Sequence, residues 1–296
     1  MAKPFLKWAG GKARLAPRIV ASAPVTFGRY HEPFAGAGAV FFALAEARPA
    51  MPAALSDANE ALMECFRVVR DALPELLKRL EILEQGYHAL GAEGRAALYY
   101  EVRNREPETA AARAARLIFL NRTCYNGLYR VNSAGRFNVP HGRYARPRIL
   151  DVTGLTSASR ALQGVELSSD DFEVACSRAQ PGDFVYLDPP YHPLSATSKF
   201  TSYTSADFGI GEQEQLAEVF EGLTRRGVAA MLSNSDHPSI RALYEGRGYE
   251  IRETAMARAI NSKADGRAPI VELLVSNFVR VDARPPGDLL AGRRTD

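Results

Sequence analysis

Short apolar runs that read as strands alternate with helical patterns near both ends of the chain, and a long helix-rich stretch separates the two groups. The first group comprises strand-like residues 30–33, a helical run over 39–47 and a second strand over 53–55. The second comprises strand-like runs at 165–167, 184–187, 228–232, 249–258 and 272–279, with helical stretches over 212–225 and 238–246. Such alternation predicts an α/β fold, a doubly wound sheet with helices on both faces. The interruption carries helical patterns over 60–85 and 93–120, the latter broken near Pro107, and predicts an inserted, mainly helical module. From 121 to 147 the periodicity gives way to Asn, Gly, Arg and Tyr, the texture of loops or a small hairpin. Residues 283–296, with Pro-Pro, Gly and Arg-Arg, read as a disordered tail.

Charge is spread unevenly over this plan. Residues 95–148 contain 11 arginines, no lysine and only Glu101, Glu106 and Glu108, about +8, against +3 for the whole chain. One module therefore faces a polyanion while the rest, near −5, does not. A merely solvated basic face is the plain alternative. The exclusive use of arginine favours the first reading, because its planar fork suits phosphates and guanine edges. Cys65, Cys124 and Cys176 are too few and scattered for a disulfide framework or a zinc site, which predicts no metal and a reducing, cytoplasmic setting. No apolar run is long enough to cross a bilayer, and residues 1–12 lack the features of a secretory signal.

In an open α/β sheet, ligands sit beyond the carboxyl ends of the strands. Three motifs fall there or beside it. Glu32-Pro33-Phe34-Ala35-Gly36-Ala37-Gly38 follows the first strand and lacks the full dinucleotide-binding pattern. Asp57 lies 21 residues beyond Gly36, at the end of the next strand, where a carboxylate can accept from the hydroxyls of a ribose. Asp57 as a helix cap in Ser56-Asp57-Ala58-Asn59 fits the same residues equally well. The second motif, Asp188-Pro189-Pro190-Tyr191, is a stiff turn after a buried strand. The lone pair of an adenine N6 is delocalised into its ring, so that amine is a poor nucleophile. Asp188 and the Pro189 carbonyl are suited to accept both of its N–H groups, and proline holds the carbonyl in place. Tyr191 offers a face on which a base drawn out of a duplex stacks. The third motif, Phe5-Leu6-Lys7-Trp8-Ala9-Gly10-Gly11-Lys12, is not a phosphate-binding Walker loop, because the upstream glycine and the Ser/Thr after the lysine are missing.

Together these motifs resemble the DNA adenine methyltransferase (Dam) family, α-group N6-adenine amino-methyltransferases. The likeness runs from Phe5 to Asn277 and includes Asn121-Arg122-Thr123-Cys124-Tyr125-Asn126-Gly127-Leu128-Tyr129-Arg130, continuing to Arg136-Phe137-Asn138-Val139-Pro140. It implies S-adenosylmethionine as methyl donor and a Rossmann-like catalytic domain over 1–59 and 150–282. It also implies a target-recognition domain over 60–149, double-stranded DNA as substrate, and a monomer in solution. By resemblance Trp8, Lys12, Phe34, Ala35, Gly36 and Asp57 line the cofactor site, with Asp171 and Phe172 beside its adenine and Asp188 adjoining. Residues 188–191 would hold a flipped adenine. Lys7 would read a guanine, Tyr125 wedge into the duplex, and Asn126 probe the space left. Leu128 and Arg130 would read outer bases and Pro140 a thymine methyl, with Arg122 and Asn138 also at the DNA; GATC is the implied site. Thr123 stands where the family more often carries an aromatic residue.

Other classes fit less well. A cytosine C5 methyltransferase needs a nucleophilic cysteine after proline, and here Glu64, Thr123 and Ala175 precede the cysteines. N4-cytosine enzymes typically carry Ser, and protein glutamine methyltransferases Asn, in place of Asp188. A binding protein that had lost catalysis would not need an intact Asp188 and Tyr191. Arg103, Arg105, Arg113 and Arg116, at helical spacing, read as a mixture of solvated and phosphate-contacting side chains. Ser233, Asn234 and residues 258–263 read equally as pocket walls or ordinary loops. His31 and His141 read as core or surface residues.

Overall fold

The computed structural model describes residues 2–191, 208–256 and 270–279. Among them the strands Tyr30–Glu32 (β1), Ala53–Ser56 (β2), Glu166–Ser168 (β3), Phe184–Leu187 (β4), Ala229–Ser235 (β5), Glu250–Met256 (β6) and Ile270–Ser276 (β7) form one sheet, ordered β3-β2-β1-β4-β5-β7-β6. β1 to β5 run parallel, and β7 is antiparallel to β5 and β6. This is the expected Rossmann-like methyltransferase core. A parallel strand covered on both faces must be apolar throughout, and every residue of β4 is buried. The strand order reverses between β1 and β4, which places a ligand crevice beyond their carboxyl ends.

The helices are Ala16–Ser22 (α1), Ala39–Ala47 (α2), Glu60–Asp71 (α3), Leu73–Ala89 (α4), Ala92–Asn104 (α5), Ala110–Thr123 (α6), Val152–Leu162 (α7), Phe172–Ser177 (α8), Ile210–Arg225 (α9) and Pro238–Tyr244 (α10). The single helical pattern over 60–85 is in fact two helices. The chain breaks at Ala72 (φ −133°), and Pro74, which has no N–H for a preceding turn, begins α4. α7 escapes sequence reading because Ser, Thr and Gly are weak helix formers; its start is set by Asp151, which accepts from the Gly154 N–H. α1 and α8 are too short to show a period.

α3 packs against α6 on one side and against α7 and β3 on the other. One apolar core therefore runs without interruption from Tyr30 and Leu55 through Phe66 to Leu80, Tyr87, Tyr99 and Phe119. A second core covers the opposite face of β4 and β5 with Leu216, Phe220 and Tyr244. Beyond α6 the chain makes a short 3-10 turn, Tyr125–Gly127, and a narrow hairpin closed by the bridges Val131↔Phe137 and Cys124↔His141. None of the described helices is long and apolar enough to cross a membrane.

Candidate active site

β1 and β4 are neighbours in parallel register, Tyr30 opposite Phe184, so the segments that follow them emerge side by side. The turn 188–191 thus stands next to the glycine loop 34–38, as a shared site requires. Lys12, buried with 7% of its side chain exposed, brings its Nζ to 2.9 Å from Asp188 Oδ1 and donates to the Gly10 carbonyl at 2.8 Å. Asp188 Oδ1 has no hydrogen-bond partner among the described residues. Burial pushes the Asp188 carboxyl up to about 6, against the opposing pull of the Lys12 charge. The same ammonium lies 4.4 Å from the centre of the Tyr191 ring, a cation–π contact on the face expected to stack a base.

Gln213 and Glu272, unremarked in the sequence, hold this turn together with Asn234, which the sequence left between pocket wall and loop. Gln213 donates to the Pro190 carbonyl at 3.0 Å and accepts from Asn234 Nδ2 at 2.8 Å, and both amides are fully buried. Tyr191 donates its hydroxyl to Glu272 Oε2 at 2.9 Å. Gln213 had a visible signal, a polar residue on the same helical stripe as Leu216, Ala217 and Phe220. Glu272 had a fainter one, an acid within the apolar strand β7. Asn234 and Ser233 belong to β5; Ser233 bonds Tyr186, and both are buried parts of the support beneath the turn rather than loop residues.

The glycine loop is tied to β2. Ala35 N–H donates to the Ser56 carbonyl, and Gly36 N–H donates to Asp57 Oδ2, both at 2.9 Å. Asp57 Oδ1 accepts from Asn59 N–H at 2.9 Å, while Asn59, not Asp57, caps α3 by accepting from Leu62 N–H. Asp57 is therefore a largely buried carboxylate braced on the loop. Burial raises its pKa while the two N–H donors hold it down. Gly36 adopts φ +48°, and a Cβ there would lie 3.0 Å from Trp8 Cδ1, so the indole rests directly on the loop. Phe34 stacks on Phe172 (5.4 Å, 24°), with Phe208 edge-on to both. Phe172 is buried and Asp171 caps α8, accepting from Glu173 N–H. Beneath the loop, Glu32 accepts from Tyr30 Oη–H and from Phe41 N–H in the first turn of α2; burial pushes it up to about 8.

The residues expected to meet DNA gather around the other end of the N-terminal motif. Fully buried Asn121 accepts from Lys7 N–H and donates to the Lys7 carbonyl, both at 2.8 Å, and donates to the Gly127 carbonyl at 3.1 Å. Gly127 has φ +65°, and any Cβ there would strike the Lys7 side chain. Lys7, Tyr125, Asn126, Leu128, Arg130 and Pro140 are exposed. Arg130 donates to Asn138 Oδ1 at 2.7 Å, so these two hold each other across the hairpin. Arg122 donates to the Phe5 carbonyl at 2.8 Å and joins Lys7, Tyr144, Arg146 and Arg148 around a basic cavity of about 300 Å³. Arg116 is a structural clamp on the carbonyls of Val102 and Arg103, and Arg113 pairs with Glu64. His31 bonds Asp183 and His141 bonds Tyr87. Residues 258–263 lie outside the described residues. Among those described, no cluster of His, Cys, Asp or Glu suits a metal ion.

Comparison with known proteins identifies the constellation. The pattern of D12 class N6 adenine-specific DNA methyltransferases matches residues 8–260. The chain is 42% identical over 288 residues to the type II methyltransferase M.MjaIII of Methanocaldococcus jannaschii, covering 93% of this chain and 99% of that one. It is 38% identical to the type II methyltransferase M1.LlaDCHI of Lactococcus lactis subsp. cremoris (93% and 95% covered). It is 34% identical to the DNA adenine methylase of Escherichia coli K12 (91% and 93% covered). The chain, with its carboxylate turn set beside a glycine loop at the switch point of the sheet, belongs to the D12 class of N6 adenine-specific DNA methyltransferases.

Proposed function

We propose that this methyltransferase uses S-adenosylmethionine to methylate N6 of an adenine extruded from duplex DNA, within GATC. The single observation that carries the reading is Asp188: a carboxylate at the crevice whose Oδ1 faces only an ammonium, next to a loop built for close approach. The residues around that loop fit such a donor. The Asp57 carboxylate, held by two backbone N–H groups, keeps further lone pairs for ribose hydroxyls, Gly36 admits the Trp8 indole against the loop, and the aromatic faces of Trp8 and Phe34 suit a cation. Lys12, Ala35, Asp171 and Phe172 complete that wall. When bound, S-adenosylmethionine supplies a methyl group activated by a sulfonium.

The protein's own part is positioning and electrostatics. Asp188 and the Pro189 carbonyl accept the two N–H groups of the amine, which favours a tetrahedral nitrogen with an available lone pair. Pro190 keeps the turn stiff, and Tyr191 stacks on the extruded base. Transfer is direct, without a covalent enzyme intermediate. Residues 60–149 act as the target-recognition domain and 1–59 with 150–282 as the catalytic domain. Lys7 reads guanine, Tyr125 and Asn126 occupy the space vacated by the base, Leu128 and Arg130 read outer pairs, and Pro140 meets a thymine methyl. Arg122 and Asn138 contact the duplex once their present partners yield.

Labelled methyl transfer to duplexes carrying A or N6-methyladenine within GATC tests the chemistry. Label is expected only on the unmodified adenine, and equal labelling of both would contradict N6 as acceptor. Asp188→Ala is expected to retain cofactor binding by calorimetry and to lose turnover; wild-type turnover in that variant would remove Asp188 from the mechanism.

A further inference from the structure

We propose that Tyr129 couples reading of the DNA site to cofactor binding, by forming a wall of the cofactor pocket from within the recognition block. The proposal rests on the reading above, that Trp8 and Asp57 line the donor site while Leu128 and Arg130 face the duplex. The chain is extended at Leu128 (φ −70°, ψ 149°). Burial alternates along it: Leu128 and Arg130 are exposed, and Tyr129 between them is partly buried. Its ring turns inward onto Trp8, with centroids 5.0 Å apart and planes at 28°. The far side of the Tyr129 contact leads straight to the glycine loop, since Trp8 rests on Gly36.

A second path closes the ring. Asn59 and the Asp57 carboxylate lie on the side of Tyr129's hydroxyl and act on its proton affinity, Asn59 lowering it and the Asp57 charge raising it. Asn59 in turn donates its N–H to Asp57 Oδ1, and Asp57 Oδ2 holds Gly36. Tyr129 thus touches the Trp8 wall of the donor site and lies beside the Asp57 wall, while its covalent neighbours are exposed. The hairpin that carries it is stiff: Tyr129 packs edge-on against Phe137, Val131 bridges Phe137, and Asn138 N–H donates to the Arg130 carbonyl at 3.0 Å. A shift of Leu128 and Arg130 onto base edges cannot leave the Tyr129 ring where it is. Coupling of this kind is reciprocal: whatever the specific duplex does to cofactor affinity, the cofactor does to duplex affinity.

The chain holds one tryptophan, Trp8 itself, so its fluorescence reports the contact directly. Titrations of S-adenosylhomocysteine with the full chain, alone and with saturating GATC or scrambled duplex, measure the coupling. In the wild type the GATC duplex is expected to tighten S-adenosylhomocysteine on the order of tenfold, within the usual range for coupled sites. Tyr129→Phe, which keeps the stack, retains most of that factor. Tyr129→Leu loses it: the ratio of S-adenosylhomocysteine affinities with and without GATC duplex falls to about one, whatever the affinity without DNA becomes. An undiminished factor in Tyr129→Leu overturns the proposal, as does a wild type with no factor at all. Should Tyr129→Leu fail to fold by circular dichroism, the wild-type emission decides: GATC duplex without cofactor must shift Trp8 emission more than scrambled duplex, and identical spectra overturn the coupling. Failure of the underlying reading looks different, because calorimetry would then show no S-adenosylhomocysteine binding to the wild type under any condition.

Discussion

In the proposed mechanism Lys12 and the amine of an extruded adenine compete for the same oxygen. Both are hydrogen-bond donors, and Asp188 Oδ1 has the Lys12 ammonium 2.9 Å away. With its pKa pushed to about 6 by burial, Asp188 is a carboxylate only above that pH. The carboxylate is the form that accepts from an amine, so single-turnover methylation is expected to rise with pH through about 6 and then level off. Lys12 is the opposing influence that keeps this value from going higher. Lys12→Met is therefore expected to move the acid limb to higher pH at saturating cofactor, and an unmoved limb would separate the limb from Asp188. The sign for stability is the reverse. Because the folded pKa exceeds the ordinary carboxylate value, Asp188's contribution to stability is complete below the ordinary carboxylate range and is lost as pH rises through about 6. The active form of the site is the one that strains the fold.

At the scale of elements, the catalytic turn is held from two sides. Helix α9 supplies Gln213, strand β5 supplies Asn234, and together they reach the Pro190 carbonyl through two buried hydrogen bonds. Strand β7 supplies Glu272 to the Tyr191 hydroxyl. Burying two amides is unfavourable unless each is satisfied, and here Asn234 donates to Gln213, Gln213 donates to the turn, and Asn234 accepts from the Ser235 N–H. Gln213→Leu keeps the volume and removes the tether. It is expected to lower kcat on the order of 10-fold to 100-fold, with KM for DNA little changed, since small displacements of reacting groups carry that cost. Steady-state kinetics with a circular-dichroism control measures this, and a wild-type kcat would show the tether to be idle. Helix α2 is steadied comparably: Gly38 offers no side-chain cap, and Glu32 from β1 takes the Phe41 N–H instead.

At the scale of the molecule, helices α3 to α6 and the sheet share one core, and Asn121 joins the N-terminal segment to the turn 125–127. Asn121→Ala leaves the Lys7 N–H and two carbonyls without their partner. Urea denaturation is expected to show a loss of about 1–3 kcal/mol, the usual cost of orphaned buried polar groups. The same variant is expected to discriminate GATC less well, because Lys7 loses its anchor; unchanged stability would mean that water replaces the amide.

What the sequence determined by itself was the alternation of strand and helix and the chemistry at the strand ends. Asp57, Asp188, Pro189, Pro190 and Tyr191 could be picked out because turns and strand exits are local, and the apolar period of β4 and α9 is written in consecutive residues. The break between α3 and α4 was also local, signalled by Pro74, and was overridden in reading by a continuous apolar pattern. Only the tertiary structure decided that Asn59 rather than Asp57 caps α3, that Lys12 lies over Tyr191, that Gln213, Asn234 and Glu272 hold the turn 188–191, and that Tyr129 stacks on Trp8. Each of those contacts joins residues from separate elements. A hydrogen bond or a ring stack forms only where the packing of the sheet and its helices brings distant side chains within a few ångströms, and linear spacing carries no record of that.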